Sequence, residues 1–381
     1  MTARPGPSTL AIHGPPHRLP DGSPATSPIV QTSTFRNPIG GEDEVRYTRY
    51  GNNPNQLEVA RRYAALEGAE AAIFVASGMA ATALAHLAVL GPGDHLVASR
   101  WIYGGTRELF DREFSRLGIA VTYVDPAHPR EWRKAVRKTT RAIFVEVVTN
   151  PLMRVVDIAA VAKVTADRGL ALLVDATMAS PIGCRPLEHG ADVVITSATK
   201  YLGGHSDLIA GAVAGSRSVV DEVTRLMRNW GPAIDPHTAW LVERGMKTLA
   251  LRVERATANA AAIATWASSR PEFAAVHYPG LPDHPDRELT ARLLDGAGAM
   301  VGLELRGGAA AAARMLSNLR VISHAPSFGG VESLVSEPRL TSHKALGPEE
   351  RAALGIPDGF LRLSCGCEDA DDLIADLANA L

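Results

Sequence analysis

The sequence predicts an α/β protein, with a mainly parallel sheet covered by helices on both faces, a smaller α+β domain at the C-terminus and an extended N-terminal arm. Three observations carry this expectation. Short apolar runs alternate with helical stretches between residues 71 and 196, the pattern of crossover units that build parallel sheets. The chain has 381 residues, more than one hydrophobic core usually organises, so two domains are expected. The first fifty or so residues are rich in Pro, Gly, Ser and Thr and keep no steady period, which reads as an arm.

The arm is placed at residues 1–55. If ordered it needs a surface to lie on, and a neighbouring subunit is the obvious one. Gln56 to Leu66 has helical spacing, and Ala71–Val75 is an apolar run suited to a buried strand. Gly78 to Leu90 reads as a helix closed by Gly91-Pro92-Gly93. Strands are then expected at His95–Ala98, Ala120–Val124, Ala142–Val148, Ala171–Val174 and Val193–Thr196. Helices near Thr106–Leu117, Pro129–Val136 and Ile158–Asp167 separate them. This large domain is placed at residues 56–245. A long helix over Met246–Ser268 opens the smaller domain, residues 246–381, with strands at Met300–Arg306 and Phe360–Leu363 and an alanine-rich helix at Ala309–Leu319. That tail looks too short for another large sheet.

Charge and composition exclude several classes. The 39 basic and 41 acidic residues give a net charge of −2, which leaves no basic footprint for nucleic acid or an anionic membrane. Hydrophobic residues at 46% and charged residues at 21% are an ordinary globular balance and argue against wholesale disorder. No apolar run reaches the roughly 18 residues of a membrane span, and the segment MTARPGPSTLAIHGPPHRLPDGSP lacks a secretory apolar stretch. Cys184, Cys365 and Cys367 cannot all pair within one chain, and so few thiols fit a reducing cytoplasm. The Cys-x-Cys pair has no clustered His or Cys around it, so it reads as buried thiols and no metal site is expected.

The residues that carry chemistry cluster around two strands. LALLVDAT places Asp175 just past an apolar strand, at the edge where ligands meet a parallel sheet. ITSATKYLGGHSD puts Lys200 in the loop after the next strand. A lysine can form a Schiff base with an aldehyde cofactor, and a carboxylate facing a pyridine nitrogen keeps it protonated. Alone, the pair fits equally well a helix-capping Asp and a solvent Lys. Ser77-Gly78-Met79 follows a strand and opens a helix, a turn whose N–H groups and dipole can hold a phosphate. Gly78 would let the backbone approach closely, and Ser197 and Thr199 could add hydroxyls, although a Ser-Gly turn is also a common helix cap.

In order and spacing, the segments QTSTF, YTRYGNNPN, VASGMAA, YGGT, EVVTNPL, LLVDATMASP, SATKYLGGHSD, SFGGVESL and LRLSCGCED resemble the Cys/Met-metabolism family of pyridoxal-phosphate enzymes. The resemblance runs from about Ile29 to the C-terminus. It implies the aspartate-aminotransferase-like fold (fold type I) and the cofactor pyridoxal 5'-phosphate. It makes Lys200 the lysine that bonds the cofactor aldehyde, and Asp175 the partner of the pyridine nitrogen. Gly78, Met79, Ser197 and Thr199 would hold the phosphate. Tyr47 and Arg49 would reach that phosphate from the neighbouring subunit, where a guanidinium fork suits a dianion. The resemblance therefore also implies self-association, as a dimer with shared sites and a homotetramer of two such dimers. Tyr103 would stack on the cofactor ring and assist proton transfer, and Asn150 would hydrogen-bond its phenolic oxygen. Arg362 would clamp the α-carboxylate of a small amino-acid substrate, with Ser327 positioning Lys200 or that carboxylate. An arginine between the apolar residues of FLRLS needs an anion, and a structural salt bridge could supply one too.

The implied activity is trans-sulfuration in cysteine and methionine metabolism, at the β- or γ-carbon of a sulfur amino acid. The YGGT turn and the chain length resemble cystathionine γ-lyases and γ-synthases. Cystathionine β-lyase, methionine γ-lyase and O-acylhomoserine sulfhydrylase activities are the alternatives. An aminotransferase, or a non-catalytic protein on the same fold, are readings of other classes. Two departures bear on the substrate. Many γ-synthases and γ-lyases carry arginine where this chain has Glu108, with Arg107 one place away, and glutamate where it has Pro326. Glu108 is expected to line the substrate pocket, and a changed charge there alters which distal groups are accepted.

Overall fold

Seven strands form the larger sheet, namely β1 Ala71–Val75, β2 His95–Ser99, β3 Ala120–Val124, β4 Thr140–Glu146, β5 Ala171–Asp175, β6 Val193–Thr196 and β7 Gly211–Gly215. The structure is a computed structural model that describes residues 5–15, 20–40, 44–342, 344 and 347–381, so residues 1–4, 16–19 and 41–43 of the expected arm lie outside it. Across the sheet the order is β1-β7-β6-β5-β4-β2-β3. The run from β3 to β6 is parallel, while β7 lies antiparallel to both of its neighbours.

Side chains alternate across these strands, and the two resulting sets feed different cores. Ile143, Val145, Leu172, Val174 and Val194 enter one core, while Ala142, Phe144, Leu173, Val193 and Ile195 enter the other. Period-two alternation with both faces buried explains why the strands read as continuous apolar runs. All of β4, β5 and β6 end at one edge, which brings Glu146, Asp175 and Thr196 together.

The sequence GAVAG of β7 carries little β-branched bulk, and the strand went unrecognised for that reason. Its glycines answer a packing demand. A Cβ on Gly211 would stand 2.1 Å from the Ser77 carbonyl oxygen, and one on Gly215 would stand 2.7 Å from that of Asp192.

A second sheet contains β8 Phe273–His277, β9 Met300–Leu305, β10 Ser323–His324, β11 Leu334–Ser336 and β12 Phe360–Ser364. Its order is β10-β11-β12-β9-β8. It is larger than expected because β10 and β11 are too short to show a period. Ile263, Val301, Leu303, Leu361, Leu363 and Leu377 share its core, with the helices Leu249–Ser268, Gly308–Asn318 and Ala370–Ala380 against it.

Two helical expectations need correction. The arm contains a helix, Pro7–His13, whose Leu10 and Ala11 are buried in the main core. Two turns are too few to reveal periodicity, but proline at the first position favours the start. Arg61 and Arg62 receive its last turn by donating to the Pro15 and Ile12 carbonyls. The helix expected over Met246–Ser268 begins at Leu249 and runs to Ser268, and Met246 instead closes a preceding helix, Pro236–Met246. Arg252 fills the elbow, donating to the carbonyls of Gly245 at 2.7 Å and Tyr201 at 2.9 Å and to Thr248 Oγ1 at 3.1 Å. A guanidinium that satisfies the freed carbonyls stabilises the break.

His86, in the helix Gly78–Leu87, is fully buried among Phe110, Phe114 and Phe144, with ring centroids 4.8–5.8 Å away. Its Nδ1 donates to the Thr82 carbonyl at 2.7 Å, and Nε2 has no partner among the described residues. Burial pushes its pKa down to about 4. The unfolded chain therefore takes up a proton below about pH 6.5 that the folded chain refuses until about pH 4, and stability falls across that window. The shift corresponds to roughly 3 kcal/mol. His86→Met is expected to flatten the fall in thermal midpoint between about pH 7 and about pH 4.5. An equal fall in variant and parent would refute this assignment.

Candidate active site

The site grows from the shared edge of β4, β5 and β6. Asp175 closes β5 and faces the pocket, its Oδ1 accepting the Thr177 N–H at 2.8 Å. The Thr177 hydroxyl accepts the Ser197 N–H at 2.9 Å, fixing the loop that leaves β6. Thr199 and Ala210 then pair across that loop, hydroxyl to carbonyl at 3.1 Å and N–H to hydroxyl at 3.0 Å. Lys200 is thereby aimed into the pocket, where its Nζ donates to Ser327 Oγ at 2.7 Å.

The pocket holds about 590 Å³. At one end stands the N-terminus of the helix Gly78–Leu87, capped by Ser77 Oγ, which accepts the Ala80 N–H at 3.1 Å. The first N–H groups of a helix have no acceptor within it. A Cβ on Gly78 would lie 2.7 Å from both Cβ and Oγ of Ser197, so only glycine lets this turn approach the Lys200 loop. Arg362 of β12 also lines the pocket and is buried. It donates to Asn150 Oδ1 at 3.1 Å and to the Ser327 carbonyl at 3.0 Å, while its Nε has no partner among the described residues. Ser327 holds a φ of +91°, a left-handed conformation costly for a residue with a side chain.

Burial shifts the proton affinities of the charged groups here. Desolvation, and then the Arg362 cation, push Lys200 down to about 8. Desolvation also pushes Arg362 down to about 10. Asp175 is pushed up by desolvation against the opposing Thr177 hydrogen bonds. Glu146 is pushed well up, first by desolvation and then by Asp175.

The structure brings Gly78, Met79, Tyr103, Asn150, Asp175, Ser197, Thr199, Lys200, Ser327 and Arg362 to one pocket. Tyr47, Arg49 and Glu108 do not line it. Tyr47 and Arg49 stay on the arm, where the guanidinium of Arg49 donates to the Arg228 carbonyl. Glu108 corrects the sequence expectation. It is exposed and pairs with Arg112 at 3.2 Å, while Thr106 faces the pocket. At about 100° per residue, two positions turn a side chain to the other face of a helix. Arg107 is turned away as well, held by Asp111 at 2.8 Å and lying 3.7 Å over the Tyr123 ring.

Sequence reasoning missed Glu146, Ile209, Thr341 and Ser342, all of which line the pocket. Glu146 could have been found, because an acid closing the apolar strand AIFVE sits at the same edge as Asp175.

Comparison with known proteins matches residues 8–381 to the Cys/Met metabolism PLP-dependent enzymes. An L-methionine gamma-lyase of Porphyromonas gingivalis is 41% identical, over 99% of this chain and 97% of that protein. A cystathionine gamma-synthase of Mycobacterium tuberculosis is also 41% identical, with the same coverage of both chains. The crystal structure of cystathionine gamma-lyase from Lactobacillus plantarum, complexed with L-serine, superposes with a TM-score of 0.94 at 37% identity, covering 99% of this chain and 98% of that one.

The depressed Lys200 gives a direct expectation. In protein stripped of bound ligand, acylation read by peptide mapping should label Lys200 with a rate midpoint near pH 8. Arg362→Leu removes a neighbouring cation and should move that midpoint up. A midpoint at the ordinary lysine value in the parent, or one unmoved in the variant, contradicts the electrostatics described.

Proposed function

The chain belongs to the Cys/Met metabolism PLP-dependent enzymes, and we propose that within this family it acts at the γ-carbon of a cystathionine-like amino acid, cleaving or replacing the bond there. Pyridoxal 5'-phosphate is the cofactor, and the enzyme works on carbon–sulfur bonds of sulfur amino acids. One observation carries the reading of the site, the bond of the Lys200 amine to Ser327 in a pocket that Asp175 and Arg362 also line, the Arg362 Nε having no partner among the described residues.

The donor set fits the cofactor chemically. A primary amine suits its aldehyde, a buried acid its ring nitrogen, and a helix start with hydroxyls its phosphate. In this reading Gly78, Met79, Ser197 and Thr199 hold the phosphate, Asp175 faces the ring nitrogen, and Tyr103 and Asn150 flank the ring. When bound, the cofactor supplies an electron sink for the substrate's α-carbon. Arg362 turns its free Nε to the substrate carboxylate, a charge-assisted bond that orients the α-carbon. Lys200 Nζ takes the α-proton and redelivers it, and an amine near pH 8 is neutral often enough to do so. Ser327 Oγ aims that amine.

Tyr47 and Arg49 complete the phosphate site from a neighbouring subunit in this reading, with arm 1–55, cofactor domain 56–245 and small domain 246–381 arranged in a dimer of dimers in the cytoplasm. Supporting it, neither residue lines the pocket of its own chain, and Arg49 is an arginine without a carboxylate partner among the described ion pairs.

One observation favours a second substrate, an uncharged thioether such as methionine. Pro326, Ile209, Thr341 and Ser342 also line the pocket, and none of the four carries a charge. Cystathionine brings a second amino-acid group that such a wall does not pair.

Lys200→Ala should lose both the absorbance band of bound cofactor and turnover. Mixed with Arg49→Ala, it should regain activity in hybrid dimers, and no recovery in verified hybrids would count against shared sites. Profiling cystathionine, methionine, homocysteine and O-acylhomoserines decides the substrate. Pro326→Glu should raise kcat/KM for cystathionine over methionine by about tenfold, the effect of one new charge-assisted contact. An unchanged ratio removes this wall from the specificity argument.

A further inference from the structure

Glu146 closes β4 as Asp175 closes β5, and the two are register partners on parallel strands. Adjacent strands lie about 4.8 Å apart, so the two acids stand side by side on one face of the sheet edge. Glu146 is 5% exposed and lines the pocket. Its Oε1 accepts the Tyr103 N–H at 2.6 Å, and the Asn150 N–H bears on the same carboxylate and favours its ionised form. Tyr103 follows β2 and Asn150 follows β4, so one carboxylate gathers two turns that reach the pocket separately. Both turns matter elsewhere in the site. Tyr103 is 42% exposed at the pocket mouth, and Asn150 Oδ1 accepts from Arg362. A short bond at full burial, made by an acid beside another acid, is an arrangement that an apolar residue or a surface tether would not require.

We propose that Glu146 is a positioning residue for the reaction, holding the Tyr103 and Asn150 turns against the end of β4 and standing as a negative neighbour of Asp175 at the cofactor ring. The proposal rests on the reading that the pocket holds the cofactor between Lys200 and Asp175. The charged groups sharing the pocket with Glu146, among the described residues, are Asp175, Lys200 and Arg362. Burial and Asp175 push Glu146 toward its neutral form, but Lys200 and Arg362 face the two acids and the cofactor's ring nitrogen adds its proton on the Asp175 side, so the loaded site favours the ionised carboxylate. A carboxylate accepts both N–H groups. A carboxamide offers one accepting oxygen, turns an N–H toward a donor, and removes the charge.

The test measures two properties other than turnover in the purified enzyme. One is the affinity of the stripped protein for pyridoxal 5'-phosphate, and the other is the pH midpoint of the bound cofactor's absorbance. Glu146→Gln should weaken affinity about tenfold, as losing a hydrogen bond to a charged group does. It should also lower the midpoint by about one unit, because a negative neighbour favours the protonated ring system. Glu146→Asp keeps the charge on a shorter stem, so it should weaken affinity and leave the midpoint in place. Weakened binding with an unmoved midpoint in Glu146→Gln would reduce the residue to a structural tether and overturn the proposal. Parent-like affinity in either variant overturns it too. Should Glu146→Gln fail to fold, Glu146→Asp decides alone, and a moved midpoint there is the refuting result. If the absorbance of the parent survives Lys200→Ala, the underlying reading falls and this proposal with it.

Discussion

Everything at the sheet edge depends on keeping the Arg362 cation buried with no carboxylate paired to it among the described residues. A guanidinium removed from water needs compensation worth several kcal/mol, and here it comes from neutral oxygens, Asn150 Oδ1 and the Ser327 carbonyl. Those acceptors belong to different parts of the molecule, a turn after β4 and the segment that leads from β10 to β11. Holding the cation therefore locks the second sheet against the first. It also leaves the Ser327 hydroxyl facing Lys200, in a backbone conformation that the surrounding contacts must maintain. Burial, and then the same cation, lower the proton affinity of the lysine.

The large sheet was legible in the sequence because its strands are buried on both faces. ALLVD and VVIT leave no polar face to confuse the pattern. Where physics acts through distant partners, the sequence is silent. β7 is a strand because its glycines let the Ser77 backbone pass. The break after Met246 exists because Arg252 reaches across from the next helix. Neither cause has a local signature. The helix in the arm was missed for a related reason, since its stability comes from Leu10 and Ala11 meeting the core.

For the site itself, ten of the residues that the order and spacing of the segments single out line one pocket. They failed where the question was which way a helical side chain turns. Thr106 faces the pocket, while Glu108 faces solvent with Arg112. A motif fixes the position of a turn more firmly than the direction of a residue two places beyond it. Glu146 passed unremarked because an acid at the end of a strand reads as its terminus. Only register with Asp175 gives it a neighbour.

The clasp between Lys200, Ser327 and Arg362 also has a consequence in time. All seven strands of the larger sheet precede Arg362 along the chain, and Ser327 is 127 positions from Lys200. Chains emerge from the ribosome at roughly 5–20 residues per second, so the larger sheet can close seconds before its partner segment exists. During that interval the catalytic edge has its acids and its helix start, but lacks the hydroxyl that aims the lysine and the cation that tunes it. A nascent chain would be folded over most of its length and still chemically mute. Competence would then arrive with the last strand of the second sheet.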